Sequence, residues 1–358
     1  MTARRLIALA LVLALMLSGC SWMDGSYVSV TPHQVGIGQT DRGNASPVRN
    51  YTELRGALVG LIDSGAVEGL FSLAEYPRTD VIRDMDRAVE YAMGAYPVGA
   101  YAVESIDYDF GTGLGASALS VDIKYRRSRE QIGLIRTVRW ISGARKEVES
   151  ALDECLDTLV LQVTGYQEAD YNAIIRDYAL RNPDKVLEIP GVTVRVYPDR
   201  GDIRVVELSF HYRTERETLR KMRDQVQPVF SSAVLYVTGQ ASDRTKFSQL
   251  HTFLTERFDY KIETTVTPAY SLLCQGVGDS QAFAQVYAVM CSRIGLEAQI
   301  VSGTKEGASH WWNLVKIDDG WYHVDLLGSK RFETLTDDLM SGYEWDRGSY
   351  PAATGAAA

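Results

Sequence analysis

The sequence predicts an α+β fold. Paired strand-like segments followed by helices fill its middle, and a helix followed by strands fills its C-terminal third. Residues 118–125 and 205–212 alternate apolar and polar side chains, as half-buried strands do. From Phe283 to Gly295, apolar residues recur at helical spacing and stop at a glycine, a common helix end. The 358 residues are 46% hydrophobic and 23% charged, which is typical of a globular protein of about two domains.

Charge and residue counts exclude several classes of protein. The formal net charge is −9, with 37 basic against 46 acidic residues and no basic block, so a nucleic-acid partner is not expected. Five histidines and four cysteines are too few for a disulfide scaffold, and the histidines show no metal-ligand spacing. We therefore expect neither a metal nor a cofactor.

The first 20 residues predict an export signal. Arg4 and Arg5 precede an unbroken apolar run at residues 6–17, which is too short for a membrane-spanning helix but suits a signal peptide. The run ends in Leu-Ser-Gly-Cys at Cys20, which resembles a bacterial lipobox. The resemblance implies lipidation of Cys20 and an extracytoplasmic protein anchored to the cell membrane by multiple acylation. Residues 21–50 are rich in small and polar residues and predict a flexible tether.

Residues 51–240 are predicted to form an α+β region that contains most of a degenerate repeat. Each copy reads strand-strand-helix-strand-helix, the first over residues 95–180 and the second over residues 190–260. The segment 161–165 (LQVTG) corresponds to 235–239 (LYVTG), which predicts a strand at both places. Two copies are too few for a solenoid, so we expect this region to be a packing platform.

Residues 241–351 carry the candidate chemistry. Ser280 stands at the start of the helix, His310 begins a strand, and Asp325 ends the next strand. A helix N-terminus favours negative charge, a histidine on a neighbouring strand can accept a proton, and a carboxylate can orient the imidazole. The three residues are therefore the candidate nucleophile, base and orienting acid. Gln281, Trp311 and Trp312 are candidates for the lining of a groove, although each tryptophan taken singly favours core packing.

These segments resemble the core of the transglutaminase-like family found in exported bacterial proteins. The matching motifs are AYSLLCQG at 269–276, GDSQAFA at 278–284, HWWN at 310–313 and WYHVD at 321–325. The resemblance implies a papain-like fold at the C-terminus and a site built from Ser280, His310 and Asp325, the positions of the family's Cys-His-Asp triad.

The sequence departs from the family at the nucleophile, where Ser280 aligns with the family's cysteine. A thiol beside a histidine can ionise near neutral pH, whereas a serine hydroxyl must lose its proton to a base as it attacks. Cys274 and Cys291 lie too far from this position along the chain to replace it. We expect packing or disulfide roles for these two cysteines, and they are the first pair to consider for a disulfide.

Two functions are compatible with this pattern. In the first, the domain is catalytically impaired and binds a peptide, a protein or cell-wall material. In the second, Ser280, His310 and Asp325 form a working amide or ester hydrolase or acyl transferase of the transglutaminase and cysteine-protease type. The loss of the cysteine favours the first function, and the retained histidine and aspartate favour the second.

Overall fold

The chain divides into two compact units. The computed structural model describes residues 31–32, 45–111, 117–262 and 265–355. The first unit comprises Met1–Gly143, Leu161–Tyr166 and Gly201–Ile203, and the second comprises Ala144–Val160, Gln167–Arg200 and Arg204–Ala358. The predicted signal peptide and Cys20 lie outside the described residues, as does most of the predicted tether. The domain bounds inferred from the sequence stay predictions.

The secondary structure is mixed, and the predicted α+β class is confirmed. The helices are α1 (Tyr51–Ser64), α2 (Val81–Glu90), α3 (Pro97–Ala102), α4 (Arg129–Gly133), α5 (Trp140–Asp153), α6 (Tyr171–Arg181), α7 (Arg216–Tyr236), α8 (Asp243–Arg257), α9 (Pro268–Tyr270) and α10 (Ser280–Arg293). The strands are β1 (Thr31–Pro32), β2 (Ser46–Pro47), β3 (Glu68–Ser72), β4 (Val103–Gly111), β5 (Ala118–Tyr125), β6 (Arg136–Arg139), β7 (Thr158–Thr164), β8 (Gly191–Tyr197), β9 (Ile203–His211), β10 (Asp259–Tyr260), β11 (Val277–Gly278), β12 (Ala298–Lys305), β13 (Ala308–Ile317), β14 (Gly320–Val324) and β15 (Tyr343–Trp345).

The first unit contains a four-stranded sheet in the order β2-β3-β5-β4. Helix α1 begins at Asn50, whose side chain accepts a hydrogen bond from the Glu53 amide, and it ends at Gly65 in the left-handed conformation. Its buried residues Leu54, Leu58 and Ile62 recur every four positions, so one stripe of the helix lies in the core.

The second unit is built around the buried helix α10. Ten of its residues are buried, which exceeds one amphipathic face and places the helix inside the core. Its core cluster includes residues from α7, α8, β13 and β14, among them Phe230, Phe247, Leu254, Phe283, Val286, Tyr287, Met290, Val315 and Val324. A four-stranded antiparallel sheet, in the order β14-β13-β12-β15, packs against α10 through its middle strands.

The predicted repeat is present only in part. Two strand-strand-helix segments occur, β4-β5-α4 and β8-β9-α7. In the first copy, strand β7 (Thr158–Thr164) contains most of the segment 161–165, for which the sequence predicted a strand. The strand predicted at 235–239 is wrong, because α7 runs on through Tyr236. The helix continues because its buried residues keep helical spacing almost to its end: Leu219, Val226, Phe230 and Ala233.

Within the described residues, the longest helices are too polar to cross a lipid bilayer, and the remaining helices are too short.

Candidate active site

Ser280 is the first residue of α10 and lies at the point where the helix leaves a short strand. The Asp279 carboxylate caps the helix by accepting a hydrogen bond from the Ala282 amide at 2.9 Å. Ser280 is 8% exposed, and its Oγ accepts a hydrogen bond from the backbone N–H of Trp311 at 3.3 Å. The hydroxyl therefore lies at the positive end of the helix and against the strand that carries His310.

His310 lies on β13 and is oriented by Asp325, which directly follows β14. The Nε2 atom of His310 is 2.9 Å from Asp325 Oδ2. Because an ionised carboxylate only accepts hydrogen bonds, Nε2 carries the proton, and Nδ1 of the neutral ring is left with its lone pair. His310 is 8% exposed, so the pair is largely shielded from solvent. This is the arrangement of a base held by an acid.

Asp325 is the centre of a larger hydrogen-bond network than the sequence indicated. Its Oδ2 also accepts from Lys305 Nζ at 3.0 Å and from the Tyr343 hydroxyl at 2.7 Å, and its Oδ1 accepts from the Leu327 amide at 3.0 Å. Burial acts to raise the pKa of the Asp325 carboxyl, because it disfavours the charged form. The hydrogen bonds from His310, Tyr343 and Lys305 outweigh burial and hold its pKa well below its usual range.

Lys305 and Tyr343 were missed because neither belongs to a motif. Lys305 ends β12, and Tyr343 begins β15, which pairs with β12 so that Lys305 and Tyr343 lie opposite each other. Burial and the Asp325 hydrogen bond raise the pKa of Tyr343 to about 12, so its hydroxyl stays protonated and donates. The Lys305 ammonium lies 4.9 Å from the centre of the Tyr343 ring. Only strand pairing brings these two groups to the carboxylate.

Asn313 joins the helix to the sheet and was also missed as a site residue. It is fully buried, and its Nδ2 donates to the Ala284 carbonyl at 2.9 Å and to the Gln299 carbonyl at 3.4 Å. Ala284 lies one turn after Ser280 on α10, and Asn313 lies three residues after His310 on β13. The amide therefore sets the position of the Ser280 helix relative to the His310 strand.

The prediction that Trp312 lines a groove is wrong, because Trp312 is fully buried. Side chains alternate along a strand, so Trp312 shares the inward face with His310, and the two rings stack at 6.2 Å with an angle of 21°. Its Nε1 donates to His323 Nδ1 at 2.9 Å, and His323 Nε2 lies 2.8 Å from Asp337 Oδ1. Burial lowers the pKa of His323, which favours the neutral ring that this pair of hydrogen bonds requires. His323 is thus a packing residue.

The other two groove candidates are at least partly accessible. Trp311 lies on the opposite face of β13 from Trp312 and is partly exposed. Gln281, the residue after Ser280, lines a cleft of 510 Å³ in the second unit. Both are compatible with a groove next to Ser280.

The disulfide considered for Cys274 and Cys291 is absent. Both are free thiols, and Cys274 is exposed whereas Cys291 is fully buried in the last turn of α10. Cys291 packs beside Tyr287, and burial raises its thiol pKa well above the ordinary value. The helix rises about 1.5 Å per residue, which separates Cys291 from Ser280 by about 16 Å. In the described part of the chain, no group of three or more His, Cys, Asp or Glu residues has the geometry of a metal site.

Comparison with known proteins agrees with this geometry. Residues 232–326 match the Transglutaminase-like superfamily, and the match includes α10, β12, β13 and β14 with Ser280, His310 and Asp325. Residues 232–326 form a transglutaminase-like domain. The match covers less than half of the chain. A search of curated proteins found no significant match.

Solved structures similar to this chain include two distant ones. A structure described as a TGase is 14% identical with a TM-score of 0.27, and the alignment covers 48% of this chain and 51% of that one. The chain therefore spans about half the length of that structure. Calcium-bound LapG of Legionella pneumophila is 11% identical with a TM-score of 0.30, over 38% of this chain and 91% of that one.

Proposed function

We propose that the protein is a lipid-anchored extracytoplasmic protein whose transglutaminase-like domain binds a peptide or cell-wall material and is catalytically impaired. The lipid on Cys20 would anchor it to the cell membrane, and the site around Ser280 would hold the ligand. Proteins, free peptides and the cell wall all present the amide groups that such a site would bind.

The hydrogen bonding of Ser280 carries the proposal of impaired catalysis. Its Oγ accepts a hydrogen bond from the Trp311 amide, and in the described part of the chain it makes no hydrogen bond to His310. A serine nucleophile needs a base to take its proton during attack, unlike a cysteine that is already ionised. The site therefore favours a function that does not depend on Ser280 as a nucleophile.

The Lys305 ammonium supports the same proposal. It shares Asp325 Oδ2 with His310 and is only 30% exposed, so its charge is poorly screened. In a Ser-His-Asp triad, the carboxylate stabilises the positive imidazolium that forms when histidine accepts the proton. A fixed positive charge on the same oxygen offsets part of that stabilisation. The network suits a rigid binding site better than a proton-transfer site.

An active serine hydrolase or acyl transferase is the second candidate, and the intact His310–Asp325 pair favours it. The pair is hydrogen-bonded, buried and leaves Nδ1 unprotonated in the neutral ring. Hydrogen bonds in a catalytic site can tighten only when substrate binds. In this candidate, Ser280 attacks an amide or ester carbonyl while His310 takes its proton, and water or an amine then releases the acyl group.

The test is labelling of the full-length protein, purified in detergent, with a fluorophosphonate probe and mapping of the label by mass spectrometry. The same protein is incubated with a randomised hexapeptide mixture to measure binding and turnover separately. Ser280→Ala and His310→Ala serve as matched variants.

We expect no label on Ser280, together with peptide binding that persists in Ser280→Ala and leaves the peptide masses unchanged. Label on Ser280 that disappears in His310→Ala, or turnover that disappears in Ser280→Ala, would establish the active enzyme instead. Absence of any peptide binding would refute the proposed binding of peptides.

A further inference from the structure

A cleft in the second unit is lined by two residues of the first turns of α10, the helix that begins at Ser280. Its volume is 510 Å³, and Gln281 and Gln285 lie on its wall. Residues four apart on a helix share one face, so the two amides follow each other along the cleft. The opposite walls come from the loop after α6, the end of β9 and the segment before α9. The lining combines apolar and polar side chains in about equal measure, so a ligand can be held by both kinds of contact.

Gln285 is a buried polar group on the wall of this cleft. It is 4% exposed, and its amide makes no hydrogen bond within the described part of the chain. The amide atoms of Gln285 stay accessible from the cleft, so they can pair with a ligand that enters it. Gln281 likewise makes no side-chain hydrogen bond within the described residues. Each amide offers donors and an acceptor, which is the complement of a peptide bond.

Glu188 places a buried negative charge on the same cleft. It is 3% exposed, and its two carboxylate oxygens accept the backbone N–H groups of Arg213 at 2.6 Å and Thr214 at 3.1 Å. No ion pair to Glu188 occurs among the described residues; the Arg213 side chain is exposed and forms none with it. These hydrogen bonds fix the loop before α7, but a backbone N–H carries no full positive charge. Within the described residues, the Glu188 carboxylate therefore has no ion-pair partner. A buried carboxylate of this kind favours a cation in the adjoining space.

We infer that this cleft binds a peptide segment that carries a primary ammonium group, such as a lysine-type side chain. The Gln281 and Gln285 amides pair with the peptide groups, and the ammonium pairs with Glu188. Val186, Leu187 and Pro268 offer apolar surface to the aliphatic stem of that side chain. This inference rests on the proposed binding function and names the ligand class for it.

The experiment uses two hexapeptide mixtures, randomised at five positions and carrying either lysine or norleucine at the third. Norleucine keeps the aliphatic stem and removes the ammonium. Equilibrium dialysis against the full-length protein in detergent, with quantification by mass spectrometry, measures retention of each mixture. The variants are Glu188→Gln and Gln285→Leu. Gln240→Leu, an exposed glutamine outside the cleft, is the matched control, and thermal unfolding checks that each variant is folded.

We expect wild type and Gln240→Leu to retain the lysine mixture about tenfold better than the norleucine mixture, which corresponds to about 1.4 kcal/mol. Glu188→Gln should remove that preference, and Gln285→Leu should weaken the retention of both mixtures. If both mixtures bind wild type equally, or if folded Gln285→Leu retains both as wild type does, the inference is overturned while the proposed function stands. If neither mixture binds wild type, both fail.

Discussion

Replacement of Ser280 by cysteine should create an unusually reactive thiol. The new Sγ would lie at the N-terminus of α10, beside the Trp311 amide and the strand of His310. Cysteines at helix N-termini or next to a histidine have thiol pKa values of roughly 3.5–7.5, compared with about 8.5 for a free cysteine. A decrease of at least ~1.5 pKa units corresponds to about 2 kcal/mol and raises the thiolate fraction at pH 7 from about 3% to about 50%.

The assay is the pH dependence of iodoacetamide alkylation, followed by mass spectrometry of the modified peptide. The native Cys274 serves as an internal control. The residue is exposed to the reagent, and partial burial of its sulfur atom raises its thiol pKa. Ser280→Cys combined with His310→Ala separates the effect of the imidazole from that of the helix terminus. At pH 7 the thiol introduced by Ser280→Cys should carry about 15-fold more thiolate than a free cysteine, and we expect it to react severalfold faster, because a thiolate of lower pKa is a weaker nucleophile.

A single outcome would refute the geometric reasoning. If Ser280→Cys is alkylated with a midpoint near 8.5 or above, and if His310→Ala leaves that midpoint unchanged, neither the helix terminus nor His310 acts on position 280. The proposed nucleophile-base arrangement would then be wrong for a thiol and, with greater force, for the native hydroxyl.

Three further changes test the network around this site. Asp325→Asn should cost about 2–4 kcal/mol of unfolding free energy, because it removes the carboxylate that pairs with the half-buried Lys305 and the buried His310. The folded pKa of Asp325 is lowered, so its contribution is present above the unfolded value of about 3.9 and is lost as the pH falls below it. Urea unfolding should therefore show the difference between wild type and variant shrinking below about pH 4, and a constant difference would contradict the pKa. Gly303→Ala should cost about 1–3 kcal/mol, since the new Cβ would lie 2.1 Å from the Glu344 carbonyl oxygen and push β15 away; a variant as stable as wild type would show that the strand can shift freely. Asn313→Ala should cost about 1–3 kcal/mol by removing the buried hydrogen bonds from Asn313 Nδ2 to the Ala284 and Gln299 carbonyls, and thermal unfolding that matches wild type would argue against its joining role.

Sequence patterns predicted secondary structure correctly where the pattern is compatible with only one type of element. The apolar spacing from Phe283 onward predicted α10, and the alternation in residues 118–125 and 205–212 predicted β5 and β9. The motif GDSQAFA placed Ser280 at a helix start, where Asp279 acts as the cap. Each of these features depends on neighbours within about four residues, so the chain order contains the necessary information.

Patterns failed where the local signal was ambiguous. Residues 235–239 resemble the strand segment 161–165 in sequence, yet Leu235 and Tyr236 continue α7. Short apolar runs fit either a strand or a helix, and packing of the preceding helix residues in the core decided between them. Trp312 was a groove candidate for which the sequence favoured core packing, and only its complete burial in the folded protein excludes the groove.

The sequence by itself determined the α+β class, the helix that carries Ser280 and the identities of His310 and Asp325, because these follow from local spacing and short motifs. It also contained the predicted export signal and lipid site. Only the tertiary structure decided that Lys305 and Tyr343 share the Asp325 carboxylate, that Asn313 joins helix to sheet, and that Gln285 and Glu188 lie on one cleft. These groups are far apart in the chain, and strand register and helix packing, which depend on the whole core, bring them together.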